Sequence, residues 1–203
     1  MMNRLLSGDL PRSRILTAVL VLILLALAFA PFLTSGARPL NMAATICVYI
    51  VLVASYDLLL GYTGIVSFAH TMFYGIGAYG IGLGLASVDE PTWGVALKGL
   101  GLALLLALVL AFVVGLFALR VRAIFYAMIT LAVASSFAVL ASQLSDFTGG
   151  EDGKTFSVPE VLTPGFTLVE NEVFGRAIDG KLLTYYLVFF GCLLLFLFLL
   201  RLV

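Results

Sequence analysis

Residues 58–88 read LLLGYTGIVSFAHTMFYGIGAYGIGLGLASV, without any Asp, Glu, Lys or Arg. The stretch also contains seven glycines, at positions 61, 64, 75, 77, 80, 82 and 84. Because lipid offers no hydrogen bonds, backbone inside a membrane is helical, or irregular only where protein or water covers it. Broken, glycine-rich helices of membrane proteins often lie beside a route across the bilayer. We therefore expect a membrane-embedded segment that does more than anchor the chain.

The composition of the whole chain agrees with a membrane location. Hydrophobic residues make up 63% and charged residues 11% of the sequence, and the mean hydropathy is +1.18. A soluble domain is typically about 45–50% apolar and about 25% charged. Eleven basic and eleven acidic residues cancel, so the net charge indicates no nucleic-acid partner. Cys47 and Cys192 lie in apolar stretches, which favours reduced thiols over a disulfide or a metal site.

Six apolar stretches approach the roughly 20 residues that a spanning helix needs. They predict an all-α, polytopic transmembrane bundle whose third span is glycine-rich and liable to be broken. The predicted spans are residues 15–33, 40–60, 64–87, 94–119, 123–144 and 182–200.

The distribution of basic residues predicts that the amino terminus is cytoplasmic. The same rule then puts six arginines on the cytoplasmic side, namely Arg4, Arg12, Arg14, Arg120, Arg122 and Arg201. Residues 145–181 become an extracytoplasmic loop that is mainly acidic and too short for a domain of its own. The loop is either a solvated cap or a docking surface for an extracytoplasmic partner.

The glycines of the third stretch allow two interpretations. Residues 75–80 match the spacing of the dinucleotide-binding fingerprint, but that motif needs a preceding strand and a βαβ unit, which an apolar span does not provide. Small residues at helical spacing instead predict close packing against two neighbouring helices. One small face carries Gly77, Gly80 and Gly84, and the other carries Gly75, Ala78 and Gly82. Close packing and lining of a substrate route are compatible roles for them.

Four polar residues near this stretch are candidates for a substrate path or a gate: Asp57, Ser67, His70 and Tyr79. A carboxylate inside a membrane is costly and points to function by default. Asp57 could equally cap the turn at Gly61, and His70 could simply hydrogen-bond between helices. The sequence contains no nucleophile–base pair and no metal-spaced cluster, so it predicts neither an enzyme nor a metal site.

Three blocks of sequence resemble signatures of the branched-chain amino-acid ABC transporter permeases. They are residues 56–79 (YDLLLGYTGIVSFAHTMFYGIGAY), residues 120–132 (RVRAIFYAMITLA) and residues 148–153 (TGGEDG). The second block and the general layout are similar to the M-type subunit of the paired permeases.

This resemblance implies a subunit of a bacterial inner-membrane importer for branched-chain or related small amino acids. It implies four kinds of partner: a second homologous permease subunit, two cytoplasmic ATPase subunits, a periplasmic substrate-binding protein and membrane lipid. ATP would be hydrolysed by the partners, and this chain would need no cofactor of its own. Urea and short-chain amide permeases are similar in the same blocks, so an amide is the alternative substrate.

The chain also departs from the family pattern. Many members have Asn where Asp57 stands and Gln where Ile65 stands, which leaves substrate contact at these positions in doubt. Members continue past the position of Leu200 with a cytoplasmic coupling helix and further spans. We therefore expect residues 1–203 to form a single transmembrane permease domain that is carboxyl-terminally truncated and does not couple to an ATPase alone. The other hypotheses are a proton-coupled carrier that uses Asp57 and His70, and a non-functional fragment.

Overall fold

The computed structural model describes residues 14–33, 36–118, 120–173 and 176–202. Arg4 and Arg12, which contribute to the predicted orientation, lie outside the described residues. The elements are α1 (Arg14–Leu33), α2 (Ala37–Thr63), α3 (His70–Ala86), α4 (Trp93–Ala118), α5 (Ala123–Gln143), α6 (Ser145–Thr148), a 3-10 turn (Glu160–Leu162), β1 (Thr167–Val173), β2 (Arg176–Asp179) and α7 (Gly180–Leu202). The fold is therefore helical, as the sequence predicts, with the addition of one short hairpin in the described part of the chain.

Among the residues that the structure describes, four helical stretches are long and apolar enough to cross a membrane: Ala37–Thr63, Trp93–Phe117, Ile124–Gln143 and Gly180–Arg201. The apolar stretch Thr17–Leu33 within α1 is shorter. Helix α3 has 17 residues and is about 25 Å long, against roughly 30 Å of hydrocarbon in a bilayer. The predicted total of six spans, with a glycine-rich third one, is therefore not confirmed.

The third helix begins at His70, six residues later than the predicted start at Gly64. The reason is the way α2 ends. The hydroxyl of Thr63 donates to the carbonyl of Leu59 (2.7 Å) and accepts the N–H of Ile65 (3.2 Å). Gly64 has a φ of 64°, the left-handed conformation that closes many helices, and its N–H donates to the Leu60 carbonyl. Residues 64–67 follow as irregular backbone.

The chain divides into two compact units, of which the first comprises residues 1–58 and 161–203. Its described core lies where α1, α2 and α7 meet. The buried members are Leu40, Ala43, Cys47, Tyr185 and Phe189.

A proline inside α1 explains one contact of this core. Pro31 has no N–H, so the carbonyl of Leu27, four residues earlier, lacks its usual helical donor. The hydroxyl of Tyr185, whose side chain is 2% exposed, donates to that carbonyl at 2.5 Å. The neighbouring Tyr186 hydroxyl donates to the Ala28 carbonyl at 3.1 Å. Two tyrosines of α7 therefore bind α1 at the turn that the proline disturbs.

The hairpin formed by β1 and β2 precedes α7 and lies within the predicted loop of residues 145–181, where the sequence did not predict strands. Its strands are antiparallel, with Thr167 opposite Asp179 and with shifts of register along the pair. The N–H of Gly180 donates to the carbonyl of Phe166 at 2.8 Å, which ties the start of α7 to the beginning of the hairpin.

The second unit comprises residues 59–160 and contains α3, α4, α5 and α6. Its described core consists of Ala69, Met72, Ile76 and Ala103, with Phe137 among the partly buried residues packed against it. Three of these four buried residues belong to α3 or the turn before it. The broken, glycine-rich segment is therefore the centre of this unit.

Candidate functional site

Helices α3 and α4 cross at a point where each helix has a glycine, Gly80 on α3 and Gly99 on α4. A Cβ placed on Gly80 would lie 2.9 Å from the Gly99 carbonyl oxygen and would also meet Ala103. A Cβ on Gly99 would meet the Gly80 carbonyl oxygen and would lie 3.3 Å from the Cα of Ile81. Because the atoms in the way belong largely to backbone, the crossing leaves no room for a side chain. Gly84 lies one turn further along, where its Cβ would be 3.4 Å from the Gly99 Cα.

The remaining glycines of α3 have different surroundings. A Cβ on Gly75 would lie 3.5 Å from the ring of Phe137 on α5, which is an ordinary van der Waals distance. A Cβ on Gly82 would lie 3.4 Å from the ring of Phe156. Gly77 has nothing within 4 Å of its Cβ position. The face of Gly80 and Gly84 thus contacts α4, whereas Gly75 is directed at α5.

A buried threonine joins α5 to the turn before α3. The Thr130 side chain is fully buried, donates to the carbonyl of Ala127 (2.9 Å) and accepts the N–H of Phe68 (3.1 Å). Contacts advance along both helices together, from Phe68 and Thr130 to Gly75 and Phe137, so α3 and α5 run parallel. Sequence reasoning missed Thr130. The available signal was a hydroxyl in an apolar helix, inside the second block of family resemblance.

Between α3 and α5 lies a cleft of about 340 Å³. Ligand pockets commonly measure about 300–1,000 Å³. None of the residues that line this cleft is charged. Three of them carry hydroxyls, and the others are apolar or glycine. The lining residues are Thr71, Met72, Gly75 and Tyr79 from α3, Ala134, Phe137, Ala138, Ala141 and Ser142 from α5, and Gly150.

The TGGEDG block (residues 148–153) closes the carboxyl-terminal end of α5 beside the cleft. The buried hydroxyl of Thr148 lies 2.5 Å from the carbonyl of Ala141 and 2.8 Å from that of Leu144, and it accepts the N–H of Gly150. Carbonyls at a helix end need such partners. All three glycines of the block have positive φ, namely 86° at Gly149, 64° at Gly150 and 71° at Gly153. The block is therefore a fixed turn that presents Gly150 to the cleft.

The structure places the four candidate polar residues in different surroundings. Tyr79 lines the cleft, and its ring meets Phe137 edge to face, with centroids 6.5 Å apart. Ser67 is buried in the irregular segment, and His70 is half-buried at the first residue of α3; neither lines the cleft. Asp57 is exposed on α2, within the first unit. Sequence reasoning missed Thr71 and Ser142, the other two hydroxyls of the cleft.

No group of three or more His, Cys, Asp and Glu side chains is placed to hold a metal ion within the described ranges. The cleft offers hydroxyl hydrogen bonds and apolar surface. It can therefore bind a small molecule that combines polar groups with an uncharged aliphatic part.

The apolar helices, four of them long enough to cross a membrane in the described part of the chain, indicate a multi-pass membrane protein. Residues 38–203 match the family described as "Branched-chain amino acid transport system / permease component". The chain belongs to this family of transport permeases. Separate comparisons of the chain with curated proteins and with solved structures gave no match.

Proposed function

We propose that this chain is a permease subunit of an ATP-driven importer for branched-chain or related small amino acids in a bacterial inner membrane. The observation that carries the proposal is the uncharged cleft between α3 and α5, in a chain that belongs to a branched-chain amino-acid permease family. Met72, Phe137 and the alanines of α5 offer an aliphatic side chain an apolar wall. The hydroxyls of Thr71 and Tyr79 offer hydrogen bonds to the carboxylate and amino groups. The Ser142 hydroxyl donates to the Val139 carbonyl at 2.9 Å and offers an acceptor to the amino group.

The mechanism that we propose is alternating access with a second permease subunit. A periplasmic binding protein would deliver the amino acid to the side of residues 145–181. Two cytoplasmic ATPase subunits would then supply the free energy, since the sequence contains no nucleotide-binding motif. The cleft of this chain would form part of the route. The remainder of the route would come from the partner permease.

The test is uptake of radiolabelled leucine by proteoliposomes that contain the permease subunit carrying this sequence, a partner permease and ATPase subunits, with a binding protein added outside. We expect uptake to require ATP inside the vesicles and to be competed by isoleucine and valine. Uptake that persists without the ATPases and collapses with the proton gradient would contradict the proposal and support a carrier that uses Asp57 and His70. Competition by urea or short amides alone would indicate an amide permease.

A further inference from the structure

Gly75 lines the cleft at the point where α3 faces the ring of Phe137. We propose that Gly75 determines the size of substrate that the cleft accepts, because its missing side chain leaves room for a branched aliphatic group. This inference rests on the proposed role of the cleft in the substrate route. It goes further by assigning size selection to one position.

The surroundings of Gly75 differ from those of the glycines at the helix crossing. A Cβ on Gly80 would collide with the backbone of α4, so a side chain there must move a helix. A Cβ on Gly75 would meet a single carbon of the Phe137 ring, at 3.5 Å. An alanine therefore fits at position 75 without displacing either helix. The methyl group of this alanine would instead occupy part of the cleft and reduce its volume.

The wall of the cleft that α5 forms, opposite Gly75, also has small side chains. Ala134 and Ala138 are small and belong to α5, the helix that also carries Phe137. A branched side chain can therefore lie between Gly75 on one side and these alanines on the other, with the Phe137 ring beside it. Glycine or alanine as substrate would leave most of this space unfilled, so the absence of a side chain at position 75 favours larger aliphatic substrates.

The experiment compares the uptake of leucine with that of alanine in Gly75→Ala, as a ratio of kcat/KM values. One methyl group of mismatch in an apolar pocket changes discrimination by about 10–200-fold. We expect the leucine-to-alanine ratio to fall about tenfold. Gly77→Ala is the matched control, because it makes the same change on the same helix but has nothing within 4 Å and does not line the cleft. Its ratio should equal that of the wild type.

Two further variants test the size of the cleft independently of Gly75→Ala alone. Ala138→Val narrows the cleft from α5 and should lower the same ratio, even if Gly75→Ala does not assemble. Adding Phe137→Leu to Gly75→Ala replaces the aromatic ring with a smaller aliphatic side chain and should restore leucine uptake. An unchanged ratio in an assembled Gly75→Ala variant, or an equal fall in Gly77→Ala, overturns the inference while wild-type leucine transport stands. If Gly75→Ala does not assemble, an unchanged ratio in Ala138→Val overturns it. A wild-type protein that transports neither amino acid overturns the proposed function and this inference together.

Discussion

At the scale of single residues, Thr130 shows how one hydroxyl fixes the broken segment. Replacing it with valine keeps the shape but leaves the N–H of Phe68 without its partner. An unsatisfied buried donor costs about 1–3 kcal/mol. We expect Thr130→Val to lower the free energy of unfolding by that amount, measured by denaturant titration in detergent micelles.

Two control variants isolate the hydrogen bond of Thr130. Thr130→Ser keeps the hydroxyl and should retain most of the stability. Thr45→Val removes an exposed hydroxyl that bonds to the Asn41 carbonyl in the same helix, and it should have little effect. Equal stabilities for Thr130→Val and Thr130→Ser would show that the bond to Phe68 does not matter.

The candidate site could be predicted from the sequence only in part. Tyr79 was named as a candidate for the substrate path, and Gly75 as a packing glycine whose role is compatible with lining a route, because both stand out within an apolar, glycine-rich stretch. Thr71 and Ser142 were missed because they become neighbours of the cleft only when α3 and α5 run side by side, which periodicity does not reveal. For the same reason, Ser67 and His70 were singled out although they face other surroundings.

At the scale of elements, the contact of α7 with the proline turn of α1 predicts a specific coupling. Tyr185→Phe removes the donor to the Leu27 carbonyl, and hydrogen bonds between membrane helices contribute about 0.6–1.7 kcal/mol. Pro31→Ala restores an N–H that can bond to that carbonyl. We expect Tyr185→Phe to cost less in the Pro31→Ala background than in the wild type, measured by a double-mutant cycle of unfolding free energies.

Tyr186→Phe is the matched control for this cycle. Its acceptor, the Ala28 carbonyl, lies four residues before Phe32, which has an N–H of its own. The loss of unfolding free energy caused by Tyr186→Phe should therefore depend less on whether residue 31 is proline or alanine. Identical coupling of both tyrosines to Pro31 would contradict the role that we assign to Tyr185.

The helices themselves were largely predictable, because long apolar stretches have few alternatives to helix in a membrane. Predicted spans 94–119, 123–144 and 182–200 lie within about two residues of α4, α5 and α7 at each end. The start of α3 was wrong by six residues, since the hydrogen bonds around Thr63 and Gly64 end α2 and delay the next helix. The hairpin was not predicted, because its strands lack a clear alternation of apolar and polar residues.

At the scale of the whole molecule, the predicted orientation places the two ends of α5 on opposite sides of the membrane. Arg120 precedes this helix and Glu151 follows it, and both are exposed. The 21 residues of α5 span about 30 Å. In a background with Cys47→Ala and Cys192→Ala, we expect a membrane-impermeant maleimide to label Glu151→Cys from outside the cell. Arg120→Cys should react only after permeabilisation, and the reverse pattern would invert the topology.

The two faces of α3 have a consequence for how such a protein can change. At the crossing with α4, a side chain on Gly80 or Gly99 meets backbone, so shrinking one neighbouring residue cannot restore the fit. Suppressor mutations of Gly80 variants should therefore be rare. On the face toward α5, Gly75 meets only the edge of a ring, and substitutions there alter the space available to a solute. One helix thus combines a face on which α4 leaves no room for a side chain with a face on which α5 leaves room for a methyl group. In the mechanism that we propose, substrate preference can therefore change at position 75 while the packing of α3 against α4 stays the same.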